Sequence, residues 1–518
     1  MVGALTTNNE PISATWNIYV DWNNDGDYSD SNENITDYVM DATWKIGMSR
    51  PYQEFADETR LTLVLMNNDR RFSPEYSSGV LYGKLKPQRR VKVTAKYSLT
   101  TFTMYTGWIE SIQPEPMANG SLTCTITCVG AKQFLEKTTF ESPLLENVRA
   151  DEAISSILQS VQIPPSIDRA WILGRVGNGE LESTTYLADL TQIASLEIAS
   201  DVLPYVGDGW EDGIKAVDAI QSLVMAERGK FFYDRSGVAV FWNRSHLQLL
   251  NSTDLTLTDH AQSLRYTYGE GITNVVKTTV YPRTLGATNT EILWELTEPV
   301  KVREGDTKTI RARYNSDENQ TVSARDVQTP SGGDFVVSSG SCTITMEADA
   351  RSATLTLTNT GLGEAVVSTI VVRGQKVTAY DREEIVHEET GSITDYGRRE
   401  MSINTKLMAS RDLAEAVGQW EAGRRSQPRG MISQVMLINR NYSYLAAMIE
   451  LTIGNTIRVS ETQTAHADNY VIMGEEHHIW DGFKRHETRW YLEPRTPVKS
   501  WILGVSGRSE LDQVYPGL

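Results

Sequence analysis

The sequence predicts a multidomain, mainly β protein. It has two barrel-like β modules towards the two ends of the chain, an α+β connector between them and an inserted immunoglobulin-like β-sandwich. Three observations lead there. A chain of 518 residues exceeds one core, and at about 100 to 200 residues per domain it divides into three to five. Short alternating apolar runs broken by Gly, Pro and Asn fill 16–137 and return across 431–490. Helical spacing is confined to stretches beginning near 151, 213 and 410.

The first module, 1–140, is strand after strand. In Leu61-Thr62-Leu63-Val64-Leu65 the leucines alternate, which places all three on one buried face of an extended chain. Asn67-Asn68-Asp69, Pro74 and Gly79 then break regular structure until Arg89-Arg90-Val91-Lys92-Val93 resumes it. Cys124 and Cys128 flank Ile126 on one strand face. Four strand residues separate them by about 13 Å, whereas a disulfide needs about 5.5 Å. With Cys342 they make three cysteines and no disulfide framework.

The connector spans 141–265. Ile154, Ile157, Leu158 and Val161 recur at helical spacing before Pro164-Pro165. Ile214, Val217, Ile220 and Val224 mark a second helix, with Gly229 placed to cap it. The runs 230–233 and 238–242 flank Asp234-Arg235-Ser236-Gly237, which reads as a hairpin. From 299 to 378 there is only alternating Thr/Val/Ile/Leu text, of the size of an immunoglobulin-like sandwich, and the lone Cys342 excludes the paired cysteines of antibody domains. Strand-like text at 274–281 resumes at Gly391-Ser392-Ile393, so this stretch reads as an insertion. The second module takes 266–298 and 379–495, with a helix presenting Leu413, Val417 and Trp420 and a last hairpin turning at Asp481-Gly482. Residues 496–518 read as a docking tail.

A net charge of −18 argues against gripping nucleic acid, which requires clustered Lys and Arg. It suits a conduit that DNA slides through. No apolar run crosses a bilayer and no leader follows Met1, so neither stable membrane insertion nor secretion by the usual route is expected.

The wording of 59–93, TRLTLVLMNNDRRFSPEYSSGVLYGKLKPQRRVKV, resembles the N-terminal part of baseplate hub or tail-tip proteins of tailed bacteriophages. AIQSLVMAERGKFFYDRSGVAVFWNR, residues 219–244, is similar to their middle domain. The resemblance implies a structural protein of the virion tail, assembled in the bacterial cytoplasm and not an enzyme. Its two barrel-like tail-tube modules per chain would close as a homotrimer into a ring of six-fold appearance. The implied partners are a tail-tube or distal tail protein above, a spike or fibre protein below, and the passing DNA. The rivals are a receptor- or glycan-binding protein acting through the sandwich, and a tail-associated cell-wall hydrolase. For the latter there is no His-Glu-x-x-His, Gly-x-Ser-x-Gly or phosphate-loop motif.

Asp21, Asn23, Asp25 and Asp27, with Gly26 sixth, fit the first half of a calcium loop. Position twelve is Asn32, with Glu33 one residue late, so a polar turn competes with Ca2+, the one candidate cofactor. Taking Asp481-Gly482 as the central turn residues places His477 opposite His486 and Glu476 opposite Glu487, a zinc pair lacking a third ligand or an imidazole pair stacked on an exposed strand. Arg424, Arg425 and Arg429, and the run 84–90, read as solvated faces or subunit contacts. Trp171-Ile172-Leu173 and Trp501-Ile502-Leu503 repeat with identical glycine spacing and read as apolar docking anchors.

Overall fold

The computed structural model describes residues 12–115, 122–161, 172–177, 180–181, 193–210, 213–250, 252–258, 261, 263–315 and 321–495, with 172–177, 180–181 and 193 as backbone alone. The chain is mainly β. Its first module consists of β1 (Thr15–Val20), β2 (Val39–Gly47), β3 (Arg60–Met66), β4 (Arg90–Tyr97), β5 (Thr100–Glu115) and β6 (Thr123–Val129), hydrogen-bonded in the order β1-β4-β5-β6-β3-β2. Leu61, Leu63 and Leu65 lie opposite Cys128, Ile126 and Cys124, and all six are fully buried. Both cysteines are free. The sheet curls until its end strands share a core, because Trp16 of β1 and Trp44 of β2 meet edge to face at 5.8 Å.

The connector follows with α1 (Lys132–Lys137), β7 (Thr139–Phe140), β8 (Leu145–Arg149), α2 (Ala150–Ser160), β9 (Ile172–Gly177), β10 (Glu180–Leu181), β11 (Ile193–Glu197), β12 (Val202–Val206), β13 (Ile214–Lys215), α3 (Ala216–Glu227), β14 (Lys230–Tyr233), β15 (Ala239–Trp242) and α4 (His246–Leu249). Ile154 and Ile157 of α2 share a core with Ile220 and Val224 of α3 and with Phe231 and Phe241 of the β14–β15 hairpin. Helix α3 does not end as its sequence suggests. Arg228, not Gly229, takes the left-handed position, at φ 59°. Gly229 serves close packing, since a Cβ there would come within 2.4 Å of the Trp242 carbonyl oxygen.

β16 (Leu255–Leu257) and β17 (Ser263–Tyr268) open the second module. The chain then leaves it. β18 (Val275–Val280) pairs antiparallel with β28 (Glu383–Glu388) from Val275–Glu388 to Val280–Glu383, and a sandwich hangs from the open end of that ladder. Its strands are β19 (Arg283–Leu285), β20 (Glu291–Glu295), β21 (Val300–Val302), β22 (Thr307–Arg313), β23 (Ala324–Gln328), β24 (Phe335–Ser339), β25 (Cys342–Ala348), β26 (Ser352–Asn359) and β27 (Ala365–Ala379). The 15-residue β27 receives β19, β20, β21, β23 and β24, while β22-β26-β25 forms the other sheet. Because β19 and β20 pair with the later half of β27, the sandwich extends beyond 299–378.

Gly391-Ser392-Ile393 is not a strand. It lies in α5 (Thr390–Tyr396), where Ser392 accepts from Asn274 and donates to the Ser426 carbonyl. β29 (Glu400–Asn404) and α6 (Arg411–Arg425) follow, and Val417 of α6 joins Val276 of β18 in the connector core. The segments 275–280 and 400–425 therefore pack with the connector, apart from the second module. That module is completed by β30 (Gly430–Ile438), α7 (Tyr442–Glu450), β31 (Thr456–Glu461), β32 (His466–Trp480) and β33 (Arg485–Pro494). β33, β30 and β17 continue from one side of β32, and β31 and β16 from the other.

Candidate functional site

The two modules are one sheet. The 15-residue β32 gives the first half of one edge to β31 and the second half to β2, from Gly47–Gly474 to Asp41–Trp480. The change of partner needs glycine on both sides. A Cβ on Gly474 would lie 2.1 Å from the Met48 carbonyl oxygen, and one on Gly47 2.5 Å from the Met473 carbonyl oxygen. Helix α7 buries apolar residues on two sides, with Ser443 and Glu450 exposed. Leu445 and Ile449 enter the first module's core, Ala447 and Met448 the second's.

The histidine pair sits in this joint and not on an exposed strand. The last hairpin pairs Trp480 with Arg485, so its loop holds four residues, with Asp481, Gly482 and Phe483 all left-handed. That shifts the expected register by two: His477 pairs with Thr488, His478 with Glu487 and Glu476 with Arg489. Both imidazoles are buried. They stack at 5.3 Å with His477 Nδ1 3.0 Å from His486 Nε2, between Trp44 on His477 and Trp16 on His486. Burial pushes both imidazole pKa values down, against the Glu475 carboxylate in the case of His477 and helped by His477 in the case of His486.

No sequence pattern singles out Arg235. It tips a hairpin turn, yet it is buried and forks onto Glu475 with two bonds of 2.6 Å. It also donates to the carbonyls of Ile449 and Leu451 at the C-terminal end of α7, where a helix dipole favours a cation. Burial alone would raise Glu475, but Arg235 outweighs it and holds the carboxyl at about 2. A second cluster joins both modules to the connector. Glu421 takes Arg228 at 2.6 Å and Arg424 at 3.0 Å, Arg228 reaches Glu54 at 2.5 Å, and Lys230 pairs with Glu493 at 2.7 Å. Against burial, Arg424 and Arg228 hold Glu421 at about 2. Arg424 is thus no solvated face; it lies 4.0 Å over Trp420.

The Asp21 loop leaves the end of β1 and returns where the Glu33 carbonyl accepts from the Val20 N–H at 2.8 Å. Asp21 accepts from the N–H groups of Asn24, Asp25 and Gly26. Asn32, at φ 73°, absorbs the extra residue, and Glu33 turns inward. Carboxylate oxygens of Asp21, Asp25 and Glu33 lie within 4.8 Å of one another. Two charges at that separation repel by roughly 3 kcal/mol at an effective dielectric of 20. Burial, followed by the neighbouring acids, raises the pKa of Glu33; burial also raises Asp21 against its backbone N–H donors. The Asp27 carboxylate faces elsewhere, accepting from the N–H and hydroxyl of Ser29.

Ile172 and Leu173 lie in β9, which pairs in parallel with β11. Trp171, Trp501, Ile502 and Leu503 lie outside the described residues. Where the sandwich meets the connector there is an open cleft of about 560 Å³ lined by Arg283, Arg351, Lys376, Lys406, Asp208 and Tyr380. Arg283 pairs with Asp208 at 2.8 Å, and both side chains are almost wholly buried. Among the described residues no helix is long and apolar enough to cross a membrane.

No protein-family profile and no curated protein matches this chain. Solved structures do. The 43 kDa tail protein of prophage MuSo2 from Shewanella oneidensis aligns over 93% of this chain and 98% of its own, at 9% identity and a TM-score of 0.46. A tail protein from Neisseria meningitidis MC58 aligns over 93% and 96%, also at 9% and 0.46. An Escherichia coli component of the type VI secretion system aligns over 89% and 74%, at 9% and 0.35.

Proposed function

We propose that this chain is a structural subunit of a phage-type tail, a hub or tail-tip protein. In this reading it closes with two further copies into a ring that joins the tail tube to the tip, spike or fibres and lets DNA pass. The observation that carries the reading is the pairing of β2 with β32, which sets two six-stranded modules from opposite ends of the chain side by side in one sheet. Three such chains offer six modules, the number that a tube of six-fold appearance requires. The sheet also leaves open edges. Among the described residues β17 pairs with β30 alone, whereas the outer edge of β1 is partly covered by 33–36 through Val20 N–H to Glu33 and Ile35 N–H to Ile18. Open edges invite pairing with another chain, and ring closure covers them. The net charge of −18 suits a wall along which DNA slides. The wording of 59–93 and 219–244 adds the family resemblance.

The purified 57.9 kDa chain should give a particle of about 174 kDa, seen as a ring with a central opening by electron microscopy. A monomer at all concentrations, combined with absence from tail tips, overturns the proposal.

The basic cleft favours a second reading, in which the sandwich recognises an acidic surface glycan. Arg351, Lys376 and Lys406 line it with Arg283 and a single acid, Asp208. Replacing Arg351 and Lys376 by Ala should then abolish retention on an acidic polysaccharide while leaving particle mass unchanged.

A further inference from the structure

We propose that the loop from Asp21 to Glu33 binds one Ca2+ ion through the carboxylates of Asp21, Asp25 and Glu33 and the side-chain oxygen of Asn23. The loop places five carboxylates and no Lys or Arg in thirteen residues. An acidic loop by itself would be an ordinary solvated turn. The decisive feature is Glu33, which is 1% exposed and has one carboxylate oxygen, Oε1, buried with no hydrogen-bond partner. Its other oxygen accepts from the Asp30 N–H at 3.0 Å, so the side chain is held inward and not merely collapsed there. Asp21, at 0% exposure, spends its hydrogen bonds on the loop's own backbone. Among the described residues no Lys or Arg forms an ion pair with Asp21, Asp25 or Glu33. Two buried carboxylates beside a third with no cation call for one.

Asn23 sits among the same acids. Its amide nitrogen lies 2.7 Å from an Asp25 oxygen and 2.6 Å from an Asp30 oxygen, taking the place of positive charge between them. Turned over, the same amide gives up the bond its oxygen accepts from the Asp25 N–H at 3.3 Å and presents that oxygen to a cation held beside Asp25. All the donors are oxygens, carried on a bending loop with Gly26 at φ 95°, which selects a hard ion tolerant of irregular coordination. Calcium meets that description better than magnesium, which demands a near-ideal octahedron. The structure also revises the ligand set that spacing alone suggests. Glu33 closes the loop in place of Asn32, and the Asp27 carboxylate is engaged with Ser29. The ion would lock the turn beside β1, an edge strand of the sheet.

The test uses the full chain, freed of metal with a chelator and titrated with Ca2+, with Mg2+, and with Tb3+ under excitation of Trp22 and Tyr28, both within the loop. One Ca2+ per chain is expected, with Mg2+ at least tenfold weaker and Tb3+ emission displaced by Ca2+. Glu33→Gln should weaken Ca2+ binding at least tenfold; exposed Asp25→Asn should do likewise and serves if the first variant does not fold. Asp27→Asn should change it less than threefold. A folded, metal-free chain that takes up no Ca2+ at millimolar concentration overturns the proposal. Equal affinity for Mg2+, or binding unchanged in both Glu33→Gln and Asp25→Asn, does so as well.

Discussion

Replacing Arg235 with Met removes a buried cation while keeping most of the side-chain volume. Glu475, at 0% exposure, is left in the joint between the two modules without its guanidinium partner, facing only the neutral His477 ring and the Thr452 hydroxyl, each at 3.4 Å. It escapes by taking a proton. Holding a carboxyl with an ordinary value of 4.5 neutral at pH 7 costs about 3.4 kcal/mol, at 1.36 kcal/mol per unit. The carbonyls of Ile449 and Leu451 lose a donor at about 1 kcal/mol each if water does not replace it. The expected loss is therefore about 3 to 5 kcal/mol at pH 7, depending on whether water replaces the lost donor, the range for breaking a buried pair. For an unfolding unit of about 200 residues this lowers Tm by about 10 °C. Urea unfolding followed by tryptophan fluorescence measures it, since Trp44 and Trp490 are both buried in the joint. Two signatures accompany the loss. It shrinks by about 2 kcal/mol on going to pH 5.5, where the proton is cheaper to supply, and Arg235→Met combined with Glu475→Leu recovers most of it, because an apolar replacement of a whole buried pair is near neutral. A single-variant loss under 1 kcal/mol, or a double variant as weak as the sum of its singles, refutes the argument that this pair holds the joint.

Gly474→Ala should cost about 1–3 kcal/mol and loosen β2 from β32, because its Cβ meets backbone 2.1 Å away; hydrogen exchange of β2 amides reads this directly. The histidine pair should make the joint acid-sensitive. With folded values below 6.5, both imidazoles are neutral in either state above that pH, and as pH falls through 6.5 only the unfolded chain takes protons, so stability falls. Glu58 and Asp234, raised by burial to about 7 and about 6, titrate in the opposite sense over the same window. The quantity to measure is therefore the difference between the native chain and His477→Gln/His486→Gln, which should move against the native chain by about 1–2 kcal/mol per pH unit below 6.5. Replacing 281–382 with a short Gly/Ser linker should leave the remainder folded with the same number of chains per particle, because Val280 and Glu383 already pair; an insoluble product would contradict this.

Alternation by itself determined the strands of the first module. Leu61, Leu63, Leu65 and the two cysteines share a buried face because an extended chain has a period of two, whatever else surrounds it. The connector helices and the hairpin around Asp234 were legible for the same reason, since 3.6-residue spacing and turn formers act locally. What surrounds a turn is not local. Arg235 reads as a loop tip, and only packing reveals that the tip enters a core beside Glu475, 240 positions along the chain. The histidine register depended on whether the hairpin loop held two residues or four, which one dihedral more in the left-handed region decides and composition does not. In the Asp21 loop the acidic spacing was visible, but the closing residue was not: a left-handed Asn32 delivered Glu33 where counting pointed to Asn32. The union of the two modules through β2 and β32 belongs wholly to the tertiary structure, because strand partners hundreds of residues apart are chosen by shape and by the two glycines that let their backbones meet.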